Sequence, residues 1–492
     1  MSTPSGNPPD ADPERPHERR ASPPRTSSDP LARFRSPQAN ITGLGIVASY
    51  TPQFWTLVVV IGLCAGAGGG VLILLLQLVE HVTYGQFHAD SLLEAARHAP
   101  GWRRIAALMG AAAITVVGLE LLGRRPSGGT EVSEAIWLRS GRMDWPRSVA
   151  RGLMSIVTVG MGVALGREAA PQVFGAATAS QLAQWRQLPT WQRRLLVASG
   201  AGAGFAAVYN VPLGGTLLGL EVMLGTLALP MVLPALLTSV VATAVCWLIL
   251  GNHVTYHVQT YGFHTSQLVF ALVLGPVIGV LGTGWTRLIT AANRVKPKRA
   301  GRFLAPFAAF GLLGVLSLQY PELLGNGRTI VQLGIVANLS LGLLAMLLLL
   351  KPLVTAACVA CGAPGGLFTP TFAVGVLFAG VVGTLFSHIW TGAPAGSYTL
   401  IGGAAFLAAA MQGPLAGIVL VLELTRHFDQ LMVPTVLAVV EATVVSRLLG
   451  ARSIYSARLG SGEMRETPSA GVAALLALDE SLPAEALKPP IG

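Results

Sequence analysis

The stretch PLGGTLLGLE at residues 212–221 recurs as PLAGIVLVLE at residues 414–423, with proline, leucine, glycine and glutamate at the same spacing. A second pair of motifs precedes these two: GREAAP at 166–171 and GGLFTP at 365–370 share the pattern Gly-x4-Pro. The members of both pairs lie about two hundred residues apart. Two motif pairs in the same order at nearly one offset predict an internally duplicated protein.

The composition points to a chain whose solvent is a lipid bilayer. Hydrophobic residues make up 52% of the sequence and charged residues only 11%, whereas soluble domains carry about 25% charged residues. Between residues 195 and 251 the only charged side chain is Glu221, and between 352 and 422 there is none. A spanning helix needs about 20 apolar residues. We therefore predict an all-α integral membrane protein with several segments in each block.

The charge and composition also divide the chain. Residues 1–40 are rich in Pro, Ser, Arg and Asp and poor in apolar residues, which is typical of a disordered tail. Residues 41–455 are predicted to form the transmembrane domain, with one repeat at about 50–250 and the other at about 265–450. The remainder, 456–492, is expected to be a short C-terminal tail.

Glycine and proline interrupt several apolar segments in mid-run, in GREAAP, YNVPLGG, CGAPGGLFTP and MQGPLAG. Broken helices at membrane depth are tolerated only where they are buried in protein or line a cavity. Duplicated transporters with paired broken helices bind substrate between the repeats, near the midplane. The breaks therefore predict a transport site built from both halves of the chain.

The net charge of +10 is concentrated in short loops. One basic cluster lies at 186–194 and another at 294–302. By the positive-inside rule both loops face the cytoplasm, and we expect a multi-pass protein of the cell membrane with both termini cytoplasmic. No aromatic and basic platform accompanies these clusters, so nucleic-acid binding is not expected.

Arg167 and Glu168 stand alone in an uncharged run from residue 152 to 185. Charge at membrane depth costs about 2.5–3.5 kcal/mol on insertion scales and normally faces a pathway. The adjacent Gly166 and Pro171 favour a helix start, whose free N–H groups and positive dipole end hold anions. An ionised Glu168 would occupy such a site and leave it when protonated, acting as gate and proton acceptor. The alternative is a structural ion pair.

Four motifs together resemble those of the CLC chloride channel and transporter family, whose anion-binding signatures are GSGIP, GREGP and GxFxP. They appear as PSGGTE at 126–131, GREAAP at 166–171 and GLFTP at 366–370, followed by a tyrosine in SIYSARL at 453–459. The resemblance spans about residues 50–460. It implies two inverted repeats of tilted and broken helices and a homodimer with one pore per subunit. The short tail suggests a bacterial-type member without cytoplasmic nucleotide-binding domains.

The resemblance also implies roles for individual residues. Ser127 and Tyr455 resemble the hydroxyl donors to the central chloride, and the backbone amides of Leu367 and Phe368 resemble the other donors. Glu168 resembles the external gating glutamate. The residues that would place the helix N-termini at the anion are Gly166, Arg167 and Gly366. Neutral donors of this kind can bind an anion and still release it, as conduction requires.

Two positions depart from the family pattern. Exchangers often have a second acidic residue after Glu221, where this chain has Val222, and another internal glutamate where this chain has Ser133. Glu134 is one residue further on. Glu221 and Glu134 are therefore candidate residues for the proton route. For Glu221 and its repeat partner Glu423 we favour a structural role at the helix ends.

These observations support transmembrane chloride transport, most simply as chloride/proton antiport. A passive chloride channel is the alternative because of Val222 and Ser133, and fluoride/proton exchange ranks lower because Ser127 and Tyr455 resemble the chloride-type site. The histidines show no metal-ligand spacing with carboxylates, so no enzyme, no metal and no cofactor other than the transported ions is expected. The expected partners are chloride, protons, lipid and a second copy of the chain.

Overall fold

The computed structural model describes residues 50–85, 91–123, 130–297, 300–426 and 429–457. Within these ranges the chain forms seventeen α-helices and no β-strand, which confirms the all-α prediction. The predicted tails fall almost entirely outside the described residues.

The helices are numbered in chain order and grouped here by the predicted repeats. Those of the first repeat are α1 (Pro52–Tyr84), α2 (Leu92–His98), α3 (Gly101–Gly123), α4 (Val132–Leu138), α5 (Trp145–Gly160), α6 (Ala169–Trp185), α7 (Thr190–Tyr209), α8 (Pro212–Leu217) and α9 (Leu229–Leu250). Those of the second are α10 (Thr265–Arg294), α11 (Gly301–Gln319), α12 (Arg328–Ile335), α13 (Leu341–Ala360), α14 (Phe368–Ile389), α15 (Ala395–Met411), α16 (Pro414–Thr425) and α17 (Met432–Leu448). A π-helical segment, Leu218–Leu224, continues α8.

Seven of these helices are long and apolar enough to cross a membrane, namely α1, α3, α9, α10, α11, α13 and α14. Their outward faces carry large exposed apolar side chains such as Leu248 in α9 and Val315 in α11. In water such a surface would be strongly unfavourable, but it matches the acyl chains of a bilayer. The predicted membrane class is therefore confirmed.

The sequence breaks between helices occur at equivalent places in the two repeats. Asn210 follows the last residue of α7 and Gln412 follows the last residue of α15, and both adopt left-handed backbone angles, with φ of 59° and 58°. Pro212 and Pro414 then begin the next helices. Proline suits a first helical turn because its missing N–H would be unpaired there in any case. The PLGG and PLAG motifs therefore mark equivalent turns in the two repeats.

Small residues allow the same helix pair to pack closely in each repeat. A Cβ atom on Gly66 of α1 would overlap the Ala242 carbonyl of α9. A Cβ atom on Gly279 of α10 would likewise overlap the Ala442 carbonyl of α17. Close backbone approach through small residues is a usual way to pack helices in lipid. The α1–α9 pair and the α10–α17 pair are therefore structural equivalents.

Glu221 and Glu423, which end the two repeated stretches, each bind the start of a helix in the other repeat. The Glu221 carboxylate accepts hydrogen bonds from the backbone N–H groups of Leu415 (3.2 Å) and Ala416 (2.6 Å), at the start of α16. The Glu423 carboxylate accepts from Leu213 (3.0 Å) and Gly214 (2.6 Å), at the start of α8. Each carboxylate therefore satisfies orphan donors and meets the positive end of a helix dipole. These contacts are those of reciprocal helix caps.

We expect Glu221→Gln to lower the free energy of unfolding by about 1 kcal/mol, since it weakens one cap. Glu423→Gln is the matched variant, because its carboxylate makes the equivalent contacts in the other repeat. Thermal unfolding in detergent should show similar losses for the two. A loss of stability in only one of the two variants would contradict reciprocal capping.

Candidate functional site

The loop that contains GREAAP (166–171) and the loop that contains GGLFTP (365–370) contact each other in the interior of the protein. The Gly166 N–H donates to the Gly366 carbonyl at 2.7 Å, and the Gly366 N–H donates to the Gly166 carbonyl at 2.8 Å. The first loop leads into α6 and the second into α14, so this pairing brings the N-termini of both helices to one point. The two sequence motifs that predicted an anion site are therefore in direct contact.

The Glu168 side chain occupies the N-terminus of α14. Its Oε1 accepts from the Phe368 N–H at 2.7 Å, and its Oε2 accepts from the Tyr209 hydroxyl at 3.2 Å and the Thr369 hydroxyl at 3.3 Å. The side chain is fully buried. The carboxylate thus has neutral donors and the positive end of a 22-residue helix as its partners. This arrangement is a small pocket for one negative charge.

Glycine at both loop positions is required by the closeness of this carboxylate. A Cβ atom built on Gly166 or on Gly366 would overlap the Glu168 carboxyl group. The Phe368 ring closes the pocket further, with its centroid 4.7 Å from that of Phe205 and 5.6 Å from that of Tyr209. The pocket walls are therefore backbone and aromatic faces, which leave no room for a side chain other than Glu168.

Arg167 does not pair with the neighbouring Glu168 among the ion pairs of the described residues. Its guanidinium carbon lies 5.2 Å from the centre of the Tyr209 ring. The side chain lines a cavity of about 560 Å³, which we call the Arg167 cavity. Its other polar walls include Glu80 at the end of α1 and Arg328 at the start of α12.

A second, smaller cavity of about 80 Å³ contains Tyr455, and we call it the Tyr455 cavity. Its lining includes the predicted residues Gly366 and Leu367 as well as Ala169, the residue after Glu168. Since Arg167 lines one cavity and Ala169 lines the other, Glu168 lies between them. Glu168 itself lines neither cavity, although the residues on both sides of it in the chain do.

Some predicted site residues remain unplaced or lie elsewhere. Ser127 is outside the described residues, so its role stays a prediction. Glu134 pairs with Arg139, Nε to Oε1 at 2.8 Å, and is not part of the Tyr455 cavity lining. Ser133 does line that cavity. The Val222 side chain packs close to the position a Cβ of Gly413 would take.

Sequence reasoning missed three polar groups of the site. Tyr209 and Thr369 donate to Glu168, and Glu131 lines the Tyr455 cavity, where its Oε1 lies 3.4 Å from an Arg151 guanidinium nitrogen. Each belongs to a motif already singled out, YNVPLGG, GLFTP or PSGGTE. The available signal was their place in those motifs, since a hydroxyl or carboxylate beside a helix break is a natural donor or acceptor for an anion pocket.

The described residues contain no group of three or more His, Cys, Asp or Glu side chains that could hold a metal ion. The four cysteines are free thiols. The chemistry available at the site is therefore that of hydrogen-bond donors, one buried carboxylate and aromatic walls. These groups can bind and release an anion and move a proton.

Comparison with known proteins adds independent findings. The profile of the family described as "Voltage gated chloride channel" matches residues 109–447. The protein called voltage-gated ClC-type chloride channel ClcB from Citrobacter koseri is 32% identical over 379 residues, covering 74% of this chain and 89% of that protein. ClcB from an Escherichia coli strain is 34% identical over 398 residues, covering 75% and 89%.

Solved structures show the same fold at lower identity. A slow cyanobacterial Cl⁻/H⁺ antiporter superposes with a TM-score of 0.74 at 21% identity, covering 85% of this chain and all of that chain. A CLC-type fluoride/proton antiporter gives a TM-score of 0.67 at 21% identity, covering 82% and 97%. The two inverted repeats of broken helices are therefore a shared architecture.

Proposed function

Because the chain belongs to the voltage-gated chloride channel family, we propose that it moves chloride across the membrane in exchange for protons, with Glu168 as the gate. Membership in a family of channels and transporters agrees with the prediction that the chain is not an enzyme. The observation that carries the proposal is the Glu168 carboxylate at the N-terminus of α14, held there by the Phe368 N–H. A negative group in a pocket of neutral donors stands where a chloride ion would bind.

The gate works by competition for that pocket. An ionised Glu168 accepts three hydrogen bonds and excludes an anion from the same donors. A protonated carboxyl loses its attraction to the helix dipole and can leave, so that chloride takes its place. The carboxyl carries a proton each time it is displaced in this way. One side chain thus couples anion passage to protonation.

Chloride inside the pore would be held by neutral groups only. We assign this role to the hydroxyls of Ser127 and Tyr455 and to the backbone amides of Leu367 and Phe368. In support, Leu367 and Tyr455 line one cavity beside the gate. Neutral donors bind the ion weakly enough for it to leave again.

Protons would reach Glu168 through the Tyr455 cavity, on the opposite side of the gate from the Arg167 cavity. This cavity has polar walls that include Glu131, Ser133 and Gln172. Water in such a space would offer a route that needs no acidic residue at the Val222 position. The contacts of Glu221 with α16 and of Glu134 with Arg139 favour structural roles for those two carboxylates.

A passive chloride channel is the second candidate. Val222 and Ser133 occupy the positions at which exchangers of this family often carry carboxylates, which favours uncoupled flow. Fluoride/proton exchange is a weaker third reading, since Tyr455 remains at the chloride-type position. We further propose a homodimer with one pore per subunit, in the cell membrane with both termini in the cytoplasm.

Purified protein in liposomes distinguishes these functions. With an outward chloride gradient, antiport predicts that chloride leaving the vesicles drives protons inward against their gradient, recorded with paired chloride and pH electrodes. Chloride movement without proton movement would establish the channel instead. If neither chloride nor fluoride moves, the proposed function fails.

A further inference from the structure

A further cavity, of about 210 Å³, lies where several spanning helices reach one surface of the membrane, and we call it the Arg302 cavity. α3 and α13 end beside it, α11 begins there, and the loop that follows α10 forms part of its wall. Because spanning helices end near the lipid headgroups, the cavity lies at headgroup depth. Its charged lining residues are Glu120, Arg151, Lys296 and Arg302.

These charges do not cancel. One Arg302 guanidinium nitrogen lies 2.9 Å from the Glu120 carboxylate. Arg151 is paired at 3.4 Å with Glu131, which lines the neighbouring Tyr455 cavity. Together with Lys296, three cations stand against two carboxylates, which leaves one positive charge in excess. An anionic ligand would balance that charge.

The groups at the start of α11 suit a phosphate. The N-cap residue of this 19-residue helix is Ala300, whose methyl side chain cannot accept hydrogen bonds from the first turn. Such a helix start favours phosphate oxygens. The Arg302 guanidinium lies at the same place, 4.6 Å from the centre of the Phe303 ring, and guanidinium groups bind phosphate oxygens in pairs. Lys296 adds a second cation to the cavity wall.

The surroundings of the cavity indicate that this phosphate belongs to a lipid. α3 and α11 contact each other along their length, from the Glu120–Arg302 pair at this end to a 2.8 Å hydrogen bond from Arg104 to the Ser317 carbonyl near the other. Exposed apolar side chains of this kind contact acyl chains in a bilayer. A lipid lying against both helices would therefore place its headgroup at the cavity. The exposed apolar residues nearest to the cavity in sequence are Val117 and Leu121 on α3 and Leu304 and Phe307 on α11.

We propose that the Arg302 cavity binds the phosphate headgroup of an anionic phospholipid, with Lys296 and Arg302 as its cationic contacts. Glu120 competes with the phosphate for Arg302 and so limits the affinity. A zwitterionic phospholipid binds less tightly, because its ammonium group cancels the charge of its phosphate. This inference does not depend on the proposed function, since binding of a lipid requires no transported ion.

The test is native mass spectrometry of the full-length protein in detergent, which gives apparent Kd values for the first bound phosphatidylglycerol and the first bound phosphatidylcholine. The wild type should prefer phosphatidylglycerol. We expect Lys296→Gln to raise the Kd of phosphatidylglycerol about fivefold and Glu120→Gln to lower it by a similar factor, the size of effect expected for one basic charge near an anionic lipid surface. The Kd of phosphatidylcholine should stay near that of the wild type in both variants.

Arg186→Gln is the matched control, because Arg186 is exposed, belongs to the other basic cluster and is absent from the cavity lining. It removes the same charge and should leave the Kd of phosphatidylglycerol unchanged. An equal effect of Arg186→Gln and Lys296→Gln, or shifts of Lys296→Gln and Glu120→Gln in the same direction, would overturn the site. Glycerol phosphate is the second probe. If it displaces phosphatidylglycerol at concentrations near the Kd of the lipid, the cavity binds a soluble phosphate and the lipid assignment is wrong.

Discussion

Glu168→Gln is expected to abolish proton coupling while chloride continues to flow. Glutamine has nearly the shape of a protonated glutamate and carries no charge. The positive end of the α14 helix dipole therefore does not attract it as it attracts a carboxylate or a chloride ion. The pocket of Phe368, Tyr209 and Thr369 donors then remains available to chloride at every pH. In liposomes, chloride should move at every pH at about the rate that the wild type reaches at acidic pH, and uphill proton movement should fall to the background.

The pH dependence of the wild type follows from the same contacts. At pH values below the pKa of Glu168 the carboxyl is neutral and leaves the pocket. Chloride flux should therefore rise as the pH falls. In Glu168→Gln this dependence should disappear. Glu94→Gln, on the exposed face of α2, serves as the control and should keep both the coupling and the pH response. Persistent coupling in Glu168→Gln would remove this residue from the mechanism.

Much of the architecture could be predicted because its determinants are local or repeated. The PLGGTLLGLE and PLAGIVLVLE stretches each begin with a proline that starts a helix, and their terminal glutamates cap each other's repeat. The uncharged run around Glu168 predicted burial, since a charge in such a run needs polar partners. Glycine and proline in GREAAP predicted the helix start beside Glu168, whereas the start of α14 at the anion site was expected from the resemblance of GLFTP to the family signature.

The donors to Glu168 could not be predicted as a set, because they come from two separate breaks in the chain and Glu168 itself lies in a third. Tyr209 ends α7 and Thr369 begins α14, and the sequence alone does not show that both hydroxyls point at one carboxylate. The charges of the Arg167 cavity are more distant still. Glu80 and Arg328 lie about 250 residues apart in the chain and meet only because α1 and the start of α12 border the same space.

The structure gives Glu168 a closed position that depends on two side-chain hydroxyls. Tyr209 and Thr369 both lie within hydrogen-bond distance of its Oε2, and one of the two hydroxyl protons is also shared between their own oxygens, which lie 2.6 Å apart. Removing one hydroxyl would also change the hydrogen bonding of the other, because the two contact each other. The informative variant is therefore the double change Tyr209→Phe with Thr369→Val. Both replacements keep nearly the same volume and leave the Phe368 N–H in place.

This double variant should raise chloride flux at neutral pH by about tenfold or more. One of the two hydroxyl protons is shared between the Tyr209 and Thr369 oxygens, so the closed position loses about one hydrogen bond to a charged group, which contributes about 1.5–3 kcal/mol. The ionised carboxylate then yields its pocket to chloride more readily, and the dependence of flux on pH should flatten. Thr371→Val is the matched control, since that buried hydroxyl in the same helix accepts from the Trp285 indole instead. A fall in flux with an unchanged pH response would mean that the two hydroxyls bind the passing anion and do not hold the gate closed.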